Sequence, residues 1–248
     1  MTDWDLRPAR DLDLSLAARL RSHKRETGLA GVLAGLVWRA TVRSYLALAH
    51  RLEITGLEHL PKEPPFVLVG NHSSHLDALC LGAALPGRLA GRSITLAAGD
   101  VFFGSFASSA FAATALNAMP IWRKHTSRDD LAFLRVRLEE DGLVFLLFPE
   151  GTRTRNGEMG RFRPGLGALV AGSSVPVVPC YLEGGFRCWP AKRKLPRPGK
   201  LRLRLGPALS FADIAADRAG WAHVSDATER AVRALTGEAQ PPPMEATA

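Results

Sequence analysis

The sequence is short of cysteine, tyrosine and acidic residues, and each shortage removes a class of protein. Its three cysteines, Cys80, Cys180 and Cys188, show no metal-ligand spacing, and an odd count argues against a disulfide framework. Two of them lie inside apolar runs, as buried thiols do, and a reducing cytoplasm is the expected compartment. Only two tyrosines are present, and aromatics do not interleave with the basic clusters, which weakens a nucleic-acid reading. Met1 to Arg25 is charged throughout and lacks the apolar region of a signal peptide. Acidic residues number 24 against 32 Lys and Arg, a formal net charge of +8. That balance favours an anionic partner: nucleic acid, an acidic carrier protein, a CoA-like donor or a negative membrane surface.

No stretch is a clear transmembrane helix. Val101 to Trp122 runs 22 residues without a charge, but it is rich in Ala and Ser and contains Gly104 and Pro120. Polar motifs flank it, and one crossing would separate them, so it is expected to be buried or to lie in the interface. Residues 12–50 read as helical: a basic amphipathic stretch carrying Leu12, Leu16 and Leu20, then the apolar run Leu29 to Trp38. That run is too short to span. It suits either a dip into one leaflet or a helical hairpin packed on the core.

From residue 51, candidate strands (Leu52–Thr55, Phe66–Val69, Ser93–Ala97, Leu143–Phe148, Val175–Leu182, Lys200–Leu205) alternate with candidate helices. Continuous apolar runs such as Leu143 to Phe148 suit strands buried on both faces. The expected fold is α/β, a single domain with a mostly buried mixed sheet flanked by helices, plus an N-terminal helical membrane-contacting segment. Residues 1–50 form that segment, 51–238 the main domain, and 239–248 a disordered tail.

Two polar constellations follow buried strands. Asn71-His-Ser-Ser-His-Leu-Asp77 comes directly after Phe66–Gly70, where open α/β sheets carry their binding loops. His72 and Asp77 point about 140° apart on a straight helix. Their pairing therefore needs His72 in the loop and Asp77 in the first helical turn, and Ser74 is placed to cap that turn. Asp77 would then orient an imidazole able to take a proton from a hydroxyl. A bare capping box explains the same residues. In Phe148-Pro-Glu-Gly-Thr-Arg153, Gly151 permits a tight turn, Thr152 offers a hydroxyl and Arg153 a fork for phosphate. Glu150 could accept from a polyol or hold Arg153. A third stretch, Asn117 to Arg123, ends its apolar run in Arg123, Lys124 and His125, which fits either a lipid phosphate or snorkelling.

Taken in order, Asn-His-x4-Asp, Pro-Ile-x-Arg, Phe-Pro-Glu-Gly-Thr-Arg and Val175-Pro-Val-Val-Pro179 resemble the four blocks of the glycerolipid acyltransferases, over about residues 51–210. The likeness is greatest to 1-acylglycerol-3-phosphate acyltransferases. The resemblance implies His72 as general base with Asp77 as its partner. It implies that Asn71, Glu150, Gly151, Thr152, Arg153 and Arg123 form the acceptor site, and that Pro179 shapes a pocket. Trp122 before Arg123 departs from the commonest second block. The implied reaction moves an acyl group from acyl-CoA or acyl-carrier protein to lysophosphatidic acid at the cytoplasmic face of a membrane rich in anionic lipids. It needs no metal or other cofactor, no acyl-enzyme and no nucleic acid. Backbone N–H groups near Ser74 are candidate oxyanion donors. Another lysolipid acceptor, a hydrolase and a basic nucleic-acid-binding protein are the alternatives. The charges of Lys200-Leu-Arg-Leu-Arg-Leu205 are expected to line one exposed strand face, as edge protection or a dock.

Overall fold

A computed structural model describes residues 9–22, 24–26, 28–99, 103–121 and 128–237. Its centre is a seven-stranded sheet in the order β1-β7-β6-β2-β5-β3-β4. The strands are β1 (Glu53–Thr55), β2 (Phe66–Gly70), β3 (Ser93–Ala98), β4 (Ala118–Ile121), β5 (Val144–Leu147), β6 (Val177–Glu183) and β7 (Arg202–Leu205). All neighbouring pairs are parallel except β6 with β7, so the sheet is mixed, as expected.

The strand β2 is buried along its whole length. Its alternate residues serve two cores. Phe66 and Leu68 face one cluster with Leu76, Leu81 and Val178, while Val67 and Val69 face another with Leu138, Leu166 and Val224. Each such side chain contributes about 1.5–3 kcal/mol by leaving water. The first face is covered by α2 (Leu29–His50), α3 (Asp77–Ala84) and α4 (Gly87–Ala90). The second is covered by α6 (Arg128–Glu140), α7 (Gly165–Val170) and α9 (Arg218–Ala234). Asp217 caps α9 by accepting from Gly220 N at 2.8 Å.

Four details depart from the sequence reading. Between residues 12 and 50 the helices are α1 (Leu16–Leu20) and α2, with turns around α1. The run Leu29 to Trp38 is only the first half of α2, which has 22 residues and over Gly31–His50 is long and apolar enough to cross a membrane. One face of it is nevertheless packed on the domain through Val42, Leu46 and His50, and Arg43 donates to the carbonyls of Ala83 and Leu85 at the end of α3. Second, the described part of Val101–Trp122 is no spanning helix: it forms α5 (Phe106–Ala115) and then β4, an edge strand that the sequence reading lacked. Third, two cations of the N-terminal region, Arg10 and Arg25, are docked on the domain. Arg10 binds Asp141 at 2.6 and 3.0 Å, and Arg25 donates to Asn117 Oδ1 at 2.8 Å, where burial brings its pKa down to about 10. Fourth, the charges of β7 do alternate with buried Leu203 and Leu205 as expected, but β7 lies between β1 and β6, so they protect no sheet edge and are paired instead. Lys200 and Arg202 meet Glu53, and Arg202 and Arg204 meet Glu183, each carboxylate lying on a strand beside β7. These hydrogen-bonded cations hold both carboxyls below the usual range.

Candidate active site

Because β2 and β5 are adjacent and parallel, with Val69 opposite Leu147, the loops leaving their carboxyl ends emerge side by side. Asn71 extends the ladder after β2 ends. Its side-chain amide donates to Leu182 O at 3.1 Å and accepts from Leu182 N at 2.7 Å. It is buried and acts as a pin from which the next residue turns out of the sheet.

That next residue is His72. Its Nδ1–H donates to Asp77 Oδ2 at 2.8 Å, and its ring stacks on Phe148 with centroids 4.4 Å apart and planes at 19°. Asp77 opens α3, so the carboxylate does reach back from the first helical turn. It is fully buried, and the same Oδ2 accepts from the backbone N–H of Ser73 at 2.7 Å and of Ser74 at 2.8 Å. Ser74 Oγ in turn accepts from Leu76 N at 2.9 Å. Half of the expected capping box is present, so the capping and orienting readings describe one carboxylate performing both tasks. With Nδ1 engaged, Nε2 has no protein partner among the described residues.

The second loop grips the first through the backbone of His72. Glu150 Oε1 accepts from His72 N at 2.6 Å, and Thr154 N donates to His72 O at 2.9 Å. Glu150 Oε2 accepts from Gly160 N at 2.8 Å. This carboxylate is buried, and its desolvation raises its pKa. Its partners are thus two backbone amides, in place of the polyol or Arg153 considered from sequence. Gly151 adopts φ +70°, the turn that only glycine takes without strain, and its N–H donates to Phe148 O at 3.0 Å. That N–H is therefore taken up by the turn itself. Thr152 is exposed. Arg153 is half-buried, and its Nη1 lies 2.7 Å from both ring nitrogens of His75. Burial, then the guanidinium charge, lowers the pKa of His75, which keeps that ring neutral beside the cation.

Other expectations fare differently. Arg123 lies outside the described residues. Pro179 is buried within β6 opposite Val69, with its ring beside Gly206 on the β7 side. The N–H groups proposed near Ser74 as oxyanion donors are occupied: Ser73 and Ser74 by Asp77, His75 by Trp189 O, Leu76 by Ser74 Oγ. The N–H groups of Thr152 and Arg153 have no protein acceptor among the described residues.

The sequence reading missed a third wall. After β6, Gly184 and Gly185 lead into the short helix α8 (Gly185–Cys188), and the chain continues over the first loop. A Cβ on Gly185 would lie 3.0 Å from Ser73 Oγ and 3.1 Å from Asp77 Oδ1, so glycine is what lets the backbone pass the carboxylate. Trp189 packs on His75 with centroids 4.9 Å apart. The Gly-Gly pair at a strand end was the available signal. Beneath α2 and α3, Trp38, Val42, Leu79 and Leu146 line a cavity of about 580 Å³ whose wall includes Ala78, the residue after Asp77.

An imidazole held by a buried carboxylate, with a cation fixed on the adjoining loop, is the equipment of an acyl- or phosphoryl-handling enzyme. The acyltransferase family profile matches residues 51–183, more than half of the chain, and the protein belongs to that family. It is 30% identical over 172 residues to mouse 1-acyl-sn-glycerol-3-phosphate acyltransferase alpha, covering 67% of this chain and 58% of that one. The 1-acyl-sn-glycerol-3-phosphate acyltransferase of Pseudomonas aeruginosa is 30% identical over 166 residues, 64% of this chain and 59% of the other. The chain thus spans under two thirds of the length of these relatives. The fold is similar to the crystal structure of the 1-acyl-sn-glycerophosphate (LPA) acyltransferase PlsC from Thermotoga maritima, with TM-score 0.62 and 20% identity over 85% of this chain and 81% of that one.

Proposed function

We propose that the protein transfers a fatty acyl group from a thioester, acyl-CoA or acyl-carrier protein, to the free hydroxyl of lysophosphatidic acid, giving phosphatidic acid. The observation that carries this reading is the His72–Asp77 pair, locked by Glu150 and Thr154 to the loop that bears Arg153. His72 Nε2 takes the hydroxyl proton as the oxygen attacks the thioester carbonyl. Asp77 stabilises the imidazolium that results. Collapse of the tetrahedral intermediate breaks the C–S bond, and the thiolate leaves with the proton from His72. The N–H groups of Thr152 and Arg153 are the candidate donors to the oxyanion. Arg153, with Arg123, would hold the acceptor phosphate, and the cavity under α2 is apolar enough on its Trp38–Leu79 side for an acyl chain. No step runs through a metal or another cofactor.

The exposed face of α2 supports a membrane-surface location. Leu33, Leu36, Val37, Ala40, Ser44, Ala47 and Leu48 are exposed and uncharged. They fall within about 120° of helix surface, opposite the packed face. A helix packed on one side and apolar on the other lies along the interface rather than across it, the monotopic mode, with the catalytic domain on the cytoplasmic side.

The test is a panel of lysophosphatidic acid and zwitterionic lysolipids with one acyl-CoA, run on wild type and His72→Ala. Turnover should be greatest on the phosphate monoester and fall at least a hundredfold in the variant. Retained turnover in His72→Ala would refute the proposed base, and preference for a zwitterionic acceptor would refute the proposed substrate.

A further inference from the structure

The segment from α8 up to β7 has a charge pattern unlike the strand that follows it. From Gly184 to Lys200 there is no acidic residue, while Arg187, Lys192, Lys194 and Arg197 are all exposed. Lys200, Arg202 and Arg204 have carboxylate partners. The four upstream cations have none among the described residues. Between them stands Leu195, 75% exposed, with Pro190, Pro196 and Pro198 restricting the backbone. Leu195 is thus held out in water among cations that have no carboxylate partner among the described residues.

The loop is tied at both ends. At one end Trp189 O accepts from His75 N at 3.1 Å, within the loop that carries His72. At the other, Gly199 N donates to Ala49 O at 3.2 Å, and Gly199 O accepts from His50 Nδ1 at 3.3 Å. Those contacts are at the C-terminal end of α2, beside Leu48, where the exposed uncharged stripe ends. Within the loop, Trp189 Nε1 donates to Arg193 O at 3.0 Å and Arg197 N to Cys188 O at 2.8 Å, so the backbone is fixed before any ligand arrives.

We infer that residues 187–197 form a second membrane contact that recognises anionic lipid headgroups, with Leu195 entering the interface and the cations facing phosphates. This rests on the proposed function, because a lipid acceptor must pass from the bilayer to the His72 loop. The stripe on α2 supplies apolar attachment, and the loop supplies charge at the rim of the site. A phosphate-rich soluble ligand would use the cations and leave Leu195 idle. Continuity with the α2 stripe favours the bilayer over an acidic protein. Each basic residue near an anionic surface is worth roughly fivefold in binding, so three acting together give on the order of a hundredfold.

The experiment uses the full chain and two vesicle types, phosphatidylcholine alone and phosphatidylcholine with phosphatidylglycerol. Binding is measured without turnover for wild type, for Lys192→Gln/Lys194→Gln/Arg197→Gln and for Leu195→Ser. The triple variant should lose on the order of a hundredfold affinity for anionic vesicles and bind neutral ones as wild type does. The wild-type preference should disappear at high salt. Leu195→Ser should weaken both by up to about tenfold. Turnover on a monomeric short-chain lysophosphatidic acid should be unchanged in both variants. Wild-type affinity of the triple variant for anionic vesicles would overturn the inference. So would a raised KM for acyl-CoA or acyl-carrier protein, which would make the patch a donor dock. Absence of short-chain turnover in wild type would count against the proposed reaction and leave the binding result standing.

Discussion

The loops after β2 and β5 each bury a carboxylate, and the two carboxylates are set different tasks. Asp77 bonds a ring nitrogen and two backbone amides through one oxygen, leaving Oδ1 without a partner among the described residues. Glu150 divides its oxygens between two backbone amides, one of them that of His72. The first acts on charge that appears during reaction, the second on geometry that must exist beforehand. Desolvation by burial raises the pKa of Glu150 against the pull of those two backbone amides. Similar residues in similar positions thus differ through what their oxygens touch.

Neutralising each carboxylate separates the roles. Asp77→Asn keeps the three hydrogen bonds if its carbonyl takes the Oδ2 position, but removes the charge opposite the imidazolium. We expect kcat to fall about a hundred- to ten-thousand-fold with little change in KM or melting temperature. A fall in melting temperature that matches the lost activity would make Asp77 a capping residue only. Arg153→Gln removes a charge-assisted contact worth about 1.5–3 kcal/mol, so KM for a phosphate-bearing acceptor should rise roughly ten- to a hundredfold with kcat held. An equal rise for an uncharged acceptor would place Arg153 outside the headgroup site. Glu150→Gln puts an amide N–H against one of two backbone donors. The expected loss is about 1–3 kcal/mol in urea denaturation, with kcat lowered severalfold. Unchanged stability would break the contrast between the carboxylates.

The smallest effect concerns pH. Burial lowers the pKa of His50 and His75, so their folded-state values lie below that of the unfolded chain. The unfolded state then binds protons first, and stability is intact above about pH 6.5 and falls as pH drops below it. In His50 the neutral ring donates from Nδ1 to Gly199 O and accepts at Nε2 from Tyr45 at 3.0 Å. The urea midpoint should decline between pH 7 and 5, and His50→Gln should flatten part of that decline. Identical slopes would assign it elsewhere.

Much of the frame was legible beforehand because it rests on local patterns. Strand Phe66–Gly70 and helix Asp77–Ala84 follow from an apolar run and a turn of Ser and Asp, and that order alone puts His72 in the loop. β4 was missed because Ala118–Ile121 is short, contains Pro120 and follows a helix with the same uncharged composition. Only pairing with β3 makes it a strand. Phe148 was read as the end of a strand, and its role as the platform for the imidazole required β2 and β5 to be neighbours.

The sequence by itself determined the α/β alternation, the fourfold set of motifs and the reach of Asp77 back to His72, since these depend on residues close in the chain. Tertiary structure decided which charges remain unpaired, which N–H groups remain open and which helix face stays bare. Those outcomes depend on partners that come together only when distant strands pair: Glu53 with Lys200, Glu150 with His72, Trp189 with His75. Charge and hydrogen-bonding capacity are written residue by residue, but whether they are satisfied is a property of the packed chain.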